Sequence, residues 1–339
     1  KLLPLGLARQ RGGRAEVATA DVHVPRRPGI TALPDFPLTA LIDRIDWAPF
    51  FASWQLRGSF PGILAHPQMG ETATKLYADA RRMLAQIVDE RWLQARGVVG
   101  LFPCNRVGDD VEVYRLSETG EVQLETREVL HFLRQQRDKG AGNRSLADFI
   151  LPVADSDGVH GDGVHGDGAA TCDWIGGFAV TVGHGVAERA KAFETTHDDY
   201  EAILLKALAD RLAEAFAERL HEHVRRALWG YAPDEALDND AIIAMQYRGI
   251  RPAPGYPACP DHTEKATLWR LLDAEARTGV SLTESFAMWP AASVSGWYFA
   301  HPKARYFGLG PIGEDQLADY ARRKGMSLTE ARRWLVEHL

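Results

Sequence analysis

The chain has 339 residues, of which 45% are hydrophobic, 25% are charged and 9% are aromatic, a composition typical of soluble globular proteins. The 39 Lys and Arg residues against 46 Asp and Glu residues give a formal net charge of -7, which leaves no positive excess to neutralise a nucleic-acid backbone. No apolar run reaches the roughly 18 residues of a membrane-spanning helix, and residues 1–14 lack the apolar core of a signal peptide. We therefore expect a cytoplasmic protein that binds neither nucleic acid nor membrane.

The chain contains three cysteines. Cys104, Cys172 and Cys259 are odd in number, far apart and without a C-x-x-C pair. This usage disfavours both a disulfide framework and a zinc knuckle, so we expect reduced thiols in a reducing compartment.

The N-terminal part of the chain has two distinct patterns. Residues 1–40 are rich in Arg, Pro and Gly and lack a sustained hydrophobic period, which predicts an extended arm that wraps a folded body. Farther along, Asp46 directly precedes an aromatic cluster that includes Trp47, Phe50 and Phe51. Such a cluster is usually core, and Asp46 is either a helix cap or a carboxylate placed to pair with a cation.

Hydrophobic periodicity predicts mixed secondary structure in the rest of the chain. The predicted helices are 70–90, 199–226 and 261–277 with a last helix after Ser327, and the predicted strands are 97–103, 110–114, 174–182, 293–299 and 306–309. Residues 105–109 have turn composition and predict a hairpin, while Asp261 and Ser327 each begin a capping-box pattern. Because the elements do not alternate strand and helix, the pattern favours α+β architecture with a mainly antiparallel sheet.

A five-residue repeat lies within residues 155–170. It pairs Val159-His160-Gly161-Asp162-Gly163 with Val164-His165-Gly166-Asp167-Gly168, and His and Asp at fixed spacing suggest a metal site. However, ordering so many glycines around an ion is entropically costly, and no further ligand is evident. The composition favours a flexible surface insertion.

The most unusual segment is residues 249–260, here called the proline-rich segment. Each of its prolines fixes φ near about -65° and removes a backbone N–H, which predicts a stiff, extended rail. Arg251 at its start offers a fork of donors to a carboxylate, and Tyr256 offers a ring face. A structural loop with a surface arginine explains the same composition equally well, because rigid loops are common as sites and as connectors.

Two aromatic groups follow, and several familiar nucleotide and catalytic motifs are missing. Residues 297–299 and the pair Tyr306-Phe307 suit a planar base or a cation, although aromatic residues in strands are more often core. The sequence has no G-x-x-x-x-G-K-[ST], H-E-x-x-H or G-x-S-x-G. Its two G-x-G-x-x-G matches, at 161–166 and 308–313, lack the strand and helix context of a Rossmann fold, so that kind of site is disfavoured.

Several long stretches between Leu41 and the C-terminus match one known family in order. The stretches are Ile45-Asp46-Trp47, Pro49-Phe50-Phe51, Leu133-Arg134-Gln135-Gln136, Ser145-Leu146-Ala147-Asp148-Phe149, Asp198-Asp199-Tyr200, 207–215, 251–260, His262-Thr263-Glu264-Lys265 and 293–302. Together they resemble the C-terminal activation domain family of cobalamin-dependent methionine synthases.

The resemblance implies a single C-shaped α+β domain over residues 41–339, built on a bent, mainly antiparallel sheet with flanking helices. Domains of this family bind S-adenosylmethionine in an extended groove outside the usual methyltransferase folds. Their role is repair: when cob(I)alamin oxidises to inert cob(II)alamin, one electron from a flavodoxin-type donor and a methyl group from S-adenosylmethionine restore the cofactor. The implied partners are the cobalamin-binding module of methionine synthase and that electron donor.

The resemblance also implies which residues bind the ligand. Asp46 would take the ammonium end of S-adenosylmethionine and Arg251 its carboxylate, which agrees with the charge and fork geometry of these side chains. The full set of implied cofactor-binding residues is Asp46, Glu214, Arg251, Tyr256, Tyr306 and Phe307.

The chain departs from the family pattern in four respects. Residues 155–170 read as an insertion, and Met245 occupies a position where the family pattern has a glutamate. The chain also lacks a cobalamin-binding D-x-H-x-x-G, since residues 21–26 end in Arg, and it lacks a cysteine set for zinc. We therefore expect an activation module of a methyltransferase system that does not run the full reaction alone.

Two alternative functions stay open from the sequence. One is a non-catalytic interaction module that clamps a cobalamin-binding domain, which the presence of Asp46, Arg251 and Tyr306 disfavours. The other is an unrelated small-molecule enzyme that uses the proline-rich segment, which would need a nucleophile or base that the sequence does not offer there.

Overall fold

The computed structural model describes residues 1–12, 17, 19–138, 140, 142–153 and 172–339, so the predicted insertion at 155–170 lies outside the described residues. The strands are Gly29–Phe36 (β1), Gln94–Val107 (β2), Asp110–Leu116 (β3), Val122–His131 (β4), Asp173–His184 (β5), Ser281–Leu282 (β6), Met288–Trp289 (β7) and Ser293–Tyr298 (β8). The α-helices are Leu5–Gln10 (α1), Trp47–Ser53 (α2), Gly70–Asp89 (α3), Val186–Thr195 (α4), Asp199–His223 (α5), Asn239–Ile243 (α6), Glu264–Leu272 (α7), Ala274–Thr278 (α8), Glu314–Lys324 (α9) and Leu328–Trp334 (α10).

The long strand β2 organises the main sheet. The strand order is β4-β3-β2-β5-β8, and every pairing is antiparallel. Along one edge β2 pairs with β5, and along the other it pairs first with β1, at residues 95–101, and then with β3, at residues 104–107. The predicted α+β class with a mainly antiparallel sheet is confirmed.

Helices cover both faces of β5. Every residue of β5 except His184 is buried, as expected for an apolar run in the middle of a sheet. The helix α5 packs on one face with a stripe that includes Leu204, Leu208 and Leu212, and α7 packs on the other with Leu268. The core therefore has two layers, one on each side of the sheet.

Three local predictions need correction. The turn predicted over 105–109 is shorter, because β2 continues through Val107 and leaves only residues 108–109 for the turn. Arg106 pairs with β3, and its backbone N–H donates to the Leu151 carbonyl. Residues 306–309 do not form a strand. The capping box at Asp261 is also wrong, because the carboxylate of Glu264 is drawn to Lys324 instead of to the start of its own helix.

The other cap and the helices predicted over 70–90 and 199–226 are confirmed, whereas the helix predicted over 261–277 begins at Glu264 and is divided into α7 and α8, because Asp273 between them has φ +50°. Ser327 accepts a hydrogen bond from the Glu330 N–H at 3.1 Å, and α3 begins and ends within one residue of the predicted bounds. The helix α5 ends at His223 and continues as a π-helical turn over Val224–Leu228. The aromatic cluster of Trp47 and Phe50 is core, as predicted.

Residues 1–40 contain regular structure that their composition did not indicate. The helix α1 is held by Arg9, whose guanidinium contacts Asp109 at 2.8 Å and Asp319 at 2.6 Å. The strand β1 extends the main sheet along β2. None of the described helices combines the length and the apolar character needed to cross a membrane, and the three cysteines are free thiols.

Candidate functional site

A cavity of about 550 Å³ lies where α5, β8, the proline-rich segment and the loop around Tyr306 meet. This volume is within the range of small-molecule sites. We call it the Arg251 cavity, and its lining includes Phe178, Glu214, Glu218, Met245, Tyr247, Arg251, Tyr256, Ser295, Tyr306 and Phe307. The lining is therefore aromatic with a few charged groups, drawn from parts of the chain that are far apart in sequence.

Backbone hydrogen bonds fix the position of Arg251. Ile250 and Phe299 exchange two bonds of 3.0 Å, and the Trp297 N–H donates to the Pro252 carbonyl at 2.8 Å. This close approach depends on Gly249, which has φ +84° and where a Cβ would lie 2.5 Å from the Phe299 carbonyl oxygen. The start of the proline-rich segment thus runs as an extra strand segment beside the end of β8.

The proline-rich segment is not extended throughout, contrary to the prediction. After Ala253 it turns at residues 254–255 and again at 257–258, with a bridge between Tyr256 and Cys259. The turn leaves the Tyr256 side chain 61% exposed at the mouth of the cavity. Prolines fix φ but leave ψ free, so a proline-dense sequence permits turns as well as a rail.

The central charged contact of the cavity joins Arg251 to Glu218. Nη2 of Arg251 donates to Oε1 of Glu218, and the side chains are only 15% and 17% exposed. Burial disfavours the arginine charge, but the hydrogen bond and the charge of Glu218 outweigh it and raise the pKa of Arg251. The guanidinium of Arg251 therefore keeps its positive charge.

Three buried polar atoms of the lining have no hydrogen-bond partner among the described residues. They are Nη1 of Arg251, Oε2 of Glu218 and Oγ of Ser295. Such atoms cost free energy unless a polar group satisfies them. The side chains line the cavity, whereas these three atoms are enclosed by protein.

Aromatic hydroxyls hold the opposite wall. The Tyr306 hydroxyl accepts a hydrogen bond from the backbone N–H of Arg251 at 2.9 Å and lies 3.4 Å from the Tyr247 hydroxyl. The backbone carbonyl of Pro257 accepts from Leu309, which ties the loop that carries Tyr306 and Phe307 to the proline-rich segment. Burial raises the pKa of Tyr247, so its hydroxyl stays protonated.

Glu214 lies one helical turn before Glu218 on α5 and faces the same cavity. Its burial raises the pKa of its carboxyl, while the charges of Arg251 and Arg211 lower it, and the net shift is upward. A buried carboxylate of this kind favours a positively charged neighbour.

Asp46 stands apart from the other five predicted residues. Its Oδ1 accepts from the Ala48 N–H at 3.0 Å, so it caps α2, and it is not in the lining of the Arg251 cavity. The turn before it is nevertheless tied to α5, because Arg44 contacts Glu222 at 3.1 Å, one turn beyond Glu218. The structure brings Glu214, Arg251, Tyr256, Tyr306 and Phe307 together in one lining and leaves Asp46 outside it.

Residues 37–325 match the protein family described as "Vitamin B12 dependent methionine synthase, activation domain". The chain belongs to this family. This chain is also similar to a solved structure described as "Crystal Structure of the MetH Reactivation Domain bound to AdoHcy". The two share 49% sequence identity with a TM-score of 0.89, and the match covers 100% of this chain and 98% of the other.

The sequence analysis did not identify three residues that line the Arg251 cavity. Phe178 lies in β5, where it resembles any buried strand residue, and Tyr247 lies in a turn that carried no pattern. Glu218 had one signal: it follows Glu214 by four residues, so both carboxylates lie on one face of α5. Its contact with Arg251 connects residues 33 positions apart and requires the fold.

A second cavity of about 560 Å³ lies at the start of α4. There Lys206 is paired with Glu194 at 3.0 Å, and the His184 ring bonds to the Thr278 carbonyl at 2.6 Å. Among the described residues of its lining, no buried polar side-chain atom lacks a partner. Among all the residues that the structure describes, we find no group of His, Cys, Asp and Glu side chains that could hold a metal ion. The Arg251 cavity is therefore the better candidate for a ligand site of the activation domain.

Proposed function

We propose that this chain binds S-adenosylmethionine in the Arg251 cavity, as the methyl donor for the reductive reactivation of cobalamin in methionine synthase. The observation that carries the proposal is an aromatic cavity lined by Arg251, in a chain that is 49% identical to a reactivation domain bound to AdoHcy. S-adenosylmethionine has a carboxylate for the arginine and a planar base for the rings. The AdoHcy in the similar structure is the molecule that S-adenosylmethionine becomes when it loses its methyl group.

The proposed roles follow the chemistry of each side chain. Arg251 binds the carboxylate, and Tyr306, Phe307 and Tyr256 provide ring surfaces along the wall and mouth of the cavity. Glu214 provides negative charge near the positively charged part of the ligand. The charged side chains and rings of this lining bind and orient the ligand, and the methyl group itself comes from S-adenosylmethionine.

We also propose Asp46 as a ligand-binding residue, although it lies outside the lining of the Arg251 cavity. It lies at the N-terminus of α2, whose preceding turn is held against α5 by the contact of Arg44 with Glu222. A ligand that extends beyond the Arg251 cavity along α5 would approach this turn.

The proposed partners are the cobalamin-binding module of methionine synthase and a flavodoxin-type electron donor. In this proposal the partner module binds cobalamin, and this chain binds the methyl donor. The activity therefore belongs to the assembled system, in which this chain supplies the bound methyl donor.

Calorimetric titration with S-adenosylmethionine tests the proposal, with Arg251→Ala beside the unaltered chain. A hydrogen bond to a charged group contributes about 1.5 to 3 kcal/mol, so we expect affinity to fall by at least about tenfold in the variant. Unchanged affinity would remove Arg251 from the site. A chain that binds no S-adenosylmethionine, alone or with the cobalamin module present, would favour the alternative of an interaction module that only clamps its partner.

A further inference from the structure

Arg225 is a fully buried arginine that does not line the Arg251 cavity. A buried guanidinium is tolerated when it is paired, and Glu235 supplies the pair. Nε and Nη2 of Arg225 donate to the two carboxylate oxygens of Glu235 at 2.7 and 2.5 Å. The backbone carbonyl of Arg225 also accepts from the Ala232 N–H at 3.0 Å. Both the side chain and the backbone of Arg225 are therefore bonded to the loop that follows the end of α5.

The guanidinium of Arg225 lies over the ring of Tyr247, which does line the cavity. Its Cζ atom is 4.4 Å from the ring centroid, a separation typical of a cation–π contact. His221, one helical turn before Arg225, contacts the same ring at a centroid distance of 4.8 Å and an angle of 77°. Two side chains from the end of α5 thus contact the Tyr247 ring, which lies in the irregular stretch between α6 and the proline-rich segment.

The π-helical turn over Val224–Leu228 contains Arg225. The Trp229 N–H closes this turn by donating to the Val224 carbonyl at 2.8 Å. A π-helical turn holds more residues than an α-helical turn, so it changes the direction in which the chain leaves the helix, and such turns recur at functional sites. The chain that leaves this turn carries Glu235 to the guanidinium.

The contacts continue from the Tyr247 ring to the proposed ligand site. The Tyr247 hydroxyl lies 3.4 Å from the Tyr306 hydroxyl, which accepts from the backbone N–H of Arg251 at 2.9 Å. A displacement of the Tyr247 ring would move its hydroxyl away from Tyr306 and remove one of the contacts that hold the aromatic wall beside Arg251.

We infer that Arg225 is a positioning residue of the ligand site, because it holds Tyr247 where its hydroxyl meets that of Tyr306. The inference rests on the proposed function, since it assumes that S-adenosylmethionine binds in the Arg251 cavity. The competing role of the pair of Arg225 and Glu235 is to stabilise the fold without any effect on the ligand. The two roles predict different results for the combination of variants.

Calorimetric titration with S-adenosylmethionine compares changes at the two ends of this line of contacts. Arg225→Met/Glu235→Gln removes both charges, so no buried carboxylate is left unpaired. Tyr247→Phe keeps the ring and removes the hydroxyl that reaches Tyr306. Each variant should bind about threefold to tenfold more weakly, the range for one hydrogen bond. All three changes together should weaken binding no more than the larger of the two effects, because they interrupt the same line of contacts.

Arg323 provides the matched control. It is also largely buried, contacts the carboxylate of Asp110 and lies 5.4 Å from the centroid of the Tyr320 ring, yet none of these three residues lines the cavity. Arg323→Met/Asp110→Asn should lower the stability to urea and leave the affinity of the folded chain unchanged. Equal weakening of the ligand by both charge-removing variants would overturn the inference, because affinity would then follow stability.

Two further results would also overturn the inference. Unchanged affinity in Arg225→Met/Glu235→Gln means that the pair only stabilises the fold. Losses that multiply when Tyr247→Phe is added mean that Arg225 does not act through the Tyr247 hydroxyl. Both results leave the proposed function intact, whereas an unaltered chain that binds no S-adenosylmethionine overturns the proposed function and this inference together.

Arg225→Lys keeps the test decisive if the charge-removing variant does not fold. Thermal unfolding without ligand identifies that case. Lysine keeps a positive charge for Glu235 but lacks the planar guanidinium that covers the Tyr247 ring. We expect Arg225→Lys to weaken S-adenosylmethionine binding in the unaltered chain and to have no further effect in Tyr247→Phe. Unchanged affinity in Arg225→Lys, or an equal loss in both backgrounds, would overturn the inference.

Discussion

The backbone N–H of Arg251 donates to the side-chain hydroxyl of Tyr306 at 2.9 Å. This bond joins the segment that carries the guanidinium to the loop that carries two aromatic rings. Because the proline-rich segment is also bonded to Phe299 and Trp297, Arg251 is held from two sides before any ligand arrives. Such preorganisation reduces the entropy that binding must overcome.

Tyr306→Phe tests the importance of this bond. The change removes the acceptor and leaves the Arg251 N–H without a side-chain partner, so we expect the affinity for S-adenosylmethionine to fall by about threefold to tenfold, or about 0.5 to 1.5 kcal/mol. Calorimetric titration measures the change. Tyr256→Phe is the matched control, since the Tyr256 side chain is largely exposed and we expect no comparable loss. Equal affinities for Tyr306→Phe and the unaltered chain would show that the bond does not contribute.

Gly249→Ala tests how closely the proline-rich segment must approach β8. The new methyl group would lie 2.5 Å from the Phe299 carbonyl oxygen, in a backbone conformation with φ +84°. Strain and collision together should cost about 3 kcal/mol or more of unfolding free energy and weaken ligand binding. Urea unfolding and titration measure both effects.

Gly310→Ala separates strain from collision. Gly310 also has a positive φ, +72°, but a Cβ there would meet nothing within 4 Å. We expect it to cost only the conformational strain, about 1 kcal/mol. If the two alanine variants are equally stable, the contact with Phe299 is not the reason for glycine at 249.

Periodicity predicted the elements that depend on local pattern. The stripe of α5 and the apolar run of β5 appear where the sequence indicates them, because burial of one face decides both. The strand predicted at 306–309 is wrong, since aromatic composition alone does not supply a ladder partner. The capping box at Asp261 is wrong because Lys324, 63 residues away, lies between Asp261 and Glu264.

The sequence predicted the part of the site whose functional side chains stand out by their local composition. Arg251 and Tyr256 were noticed because the prolines around them make the segment unusual, and Tyr306 and Phe307 were noticed as an aromatic pair. Glu214 came from the family resemblance. The contact of Arg251 with Glu218 was not predictable, because one residue is in an irregular loop and the other is in a regular helix whose pattern shows only its apolar face.

Asp319 links the N-terminal helix to α9 and makes stability sensitive to acid. Burial would raise the pKa of its carboxyl, but hydrogen bonds from Arg323, Arg9 and Arg322 outweigh burial and lower it from 3.8 to about 2. A lowered pKa in the folded state stabilises the fold above about pH 4, and this stabilisation is lost as the pH falls toward 2. After allowance for solvent screening we expect about 1 to 2 kcal/mol.

Urea unfolding at several pH values checks this prediction. Asp319→Asn should be less stable than the unaltered chain at pH 6, and the difference should shrink between pH 4 and pH 2. Asp138→Asn is the control, because its pair with Arg11 is exposed on both sides and should contribute little at any pH. A difference between Asp319→Asn and the unaltered chain that does not change with pH would contradict the prediction.

Glu214→Gln tests whether the cavity distinguishes the methyl donor from its product by charge. S-adenosylmethionine carries a positive sulfonium that S-adenosylhomocysteine lacks, and Glu214 is a half-buried carboxylate in the cavity lining. We expect the variant to bind S-adenosylmethionine about tenfold more weakly, with little change for S-adenosylhomocysteine. Because burial raises the pKa of Glu214, lowering the pH should protonate it and reduce the preference of the unaltered chain in the same way, whereas Glu214→Gln should show no such pH dependence. Calorimetry with both ligands between pH 5 and pH 8 measures this, and a parallel loss of affinity for the two ligands would contradict recognition of the sulfonium charge.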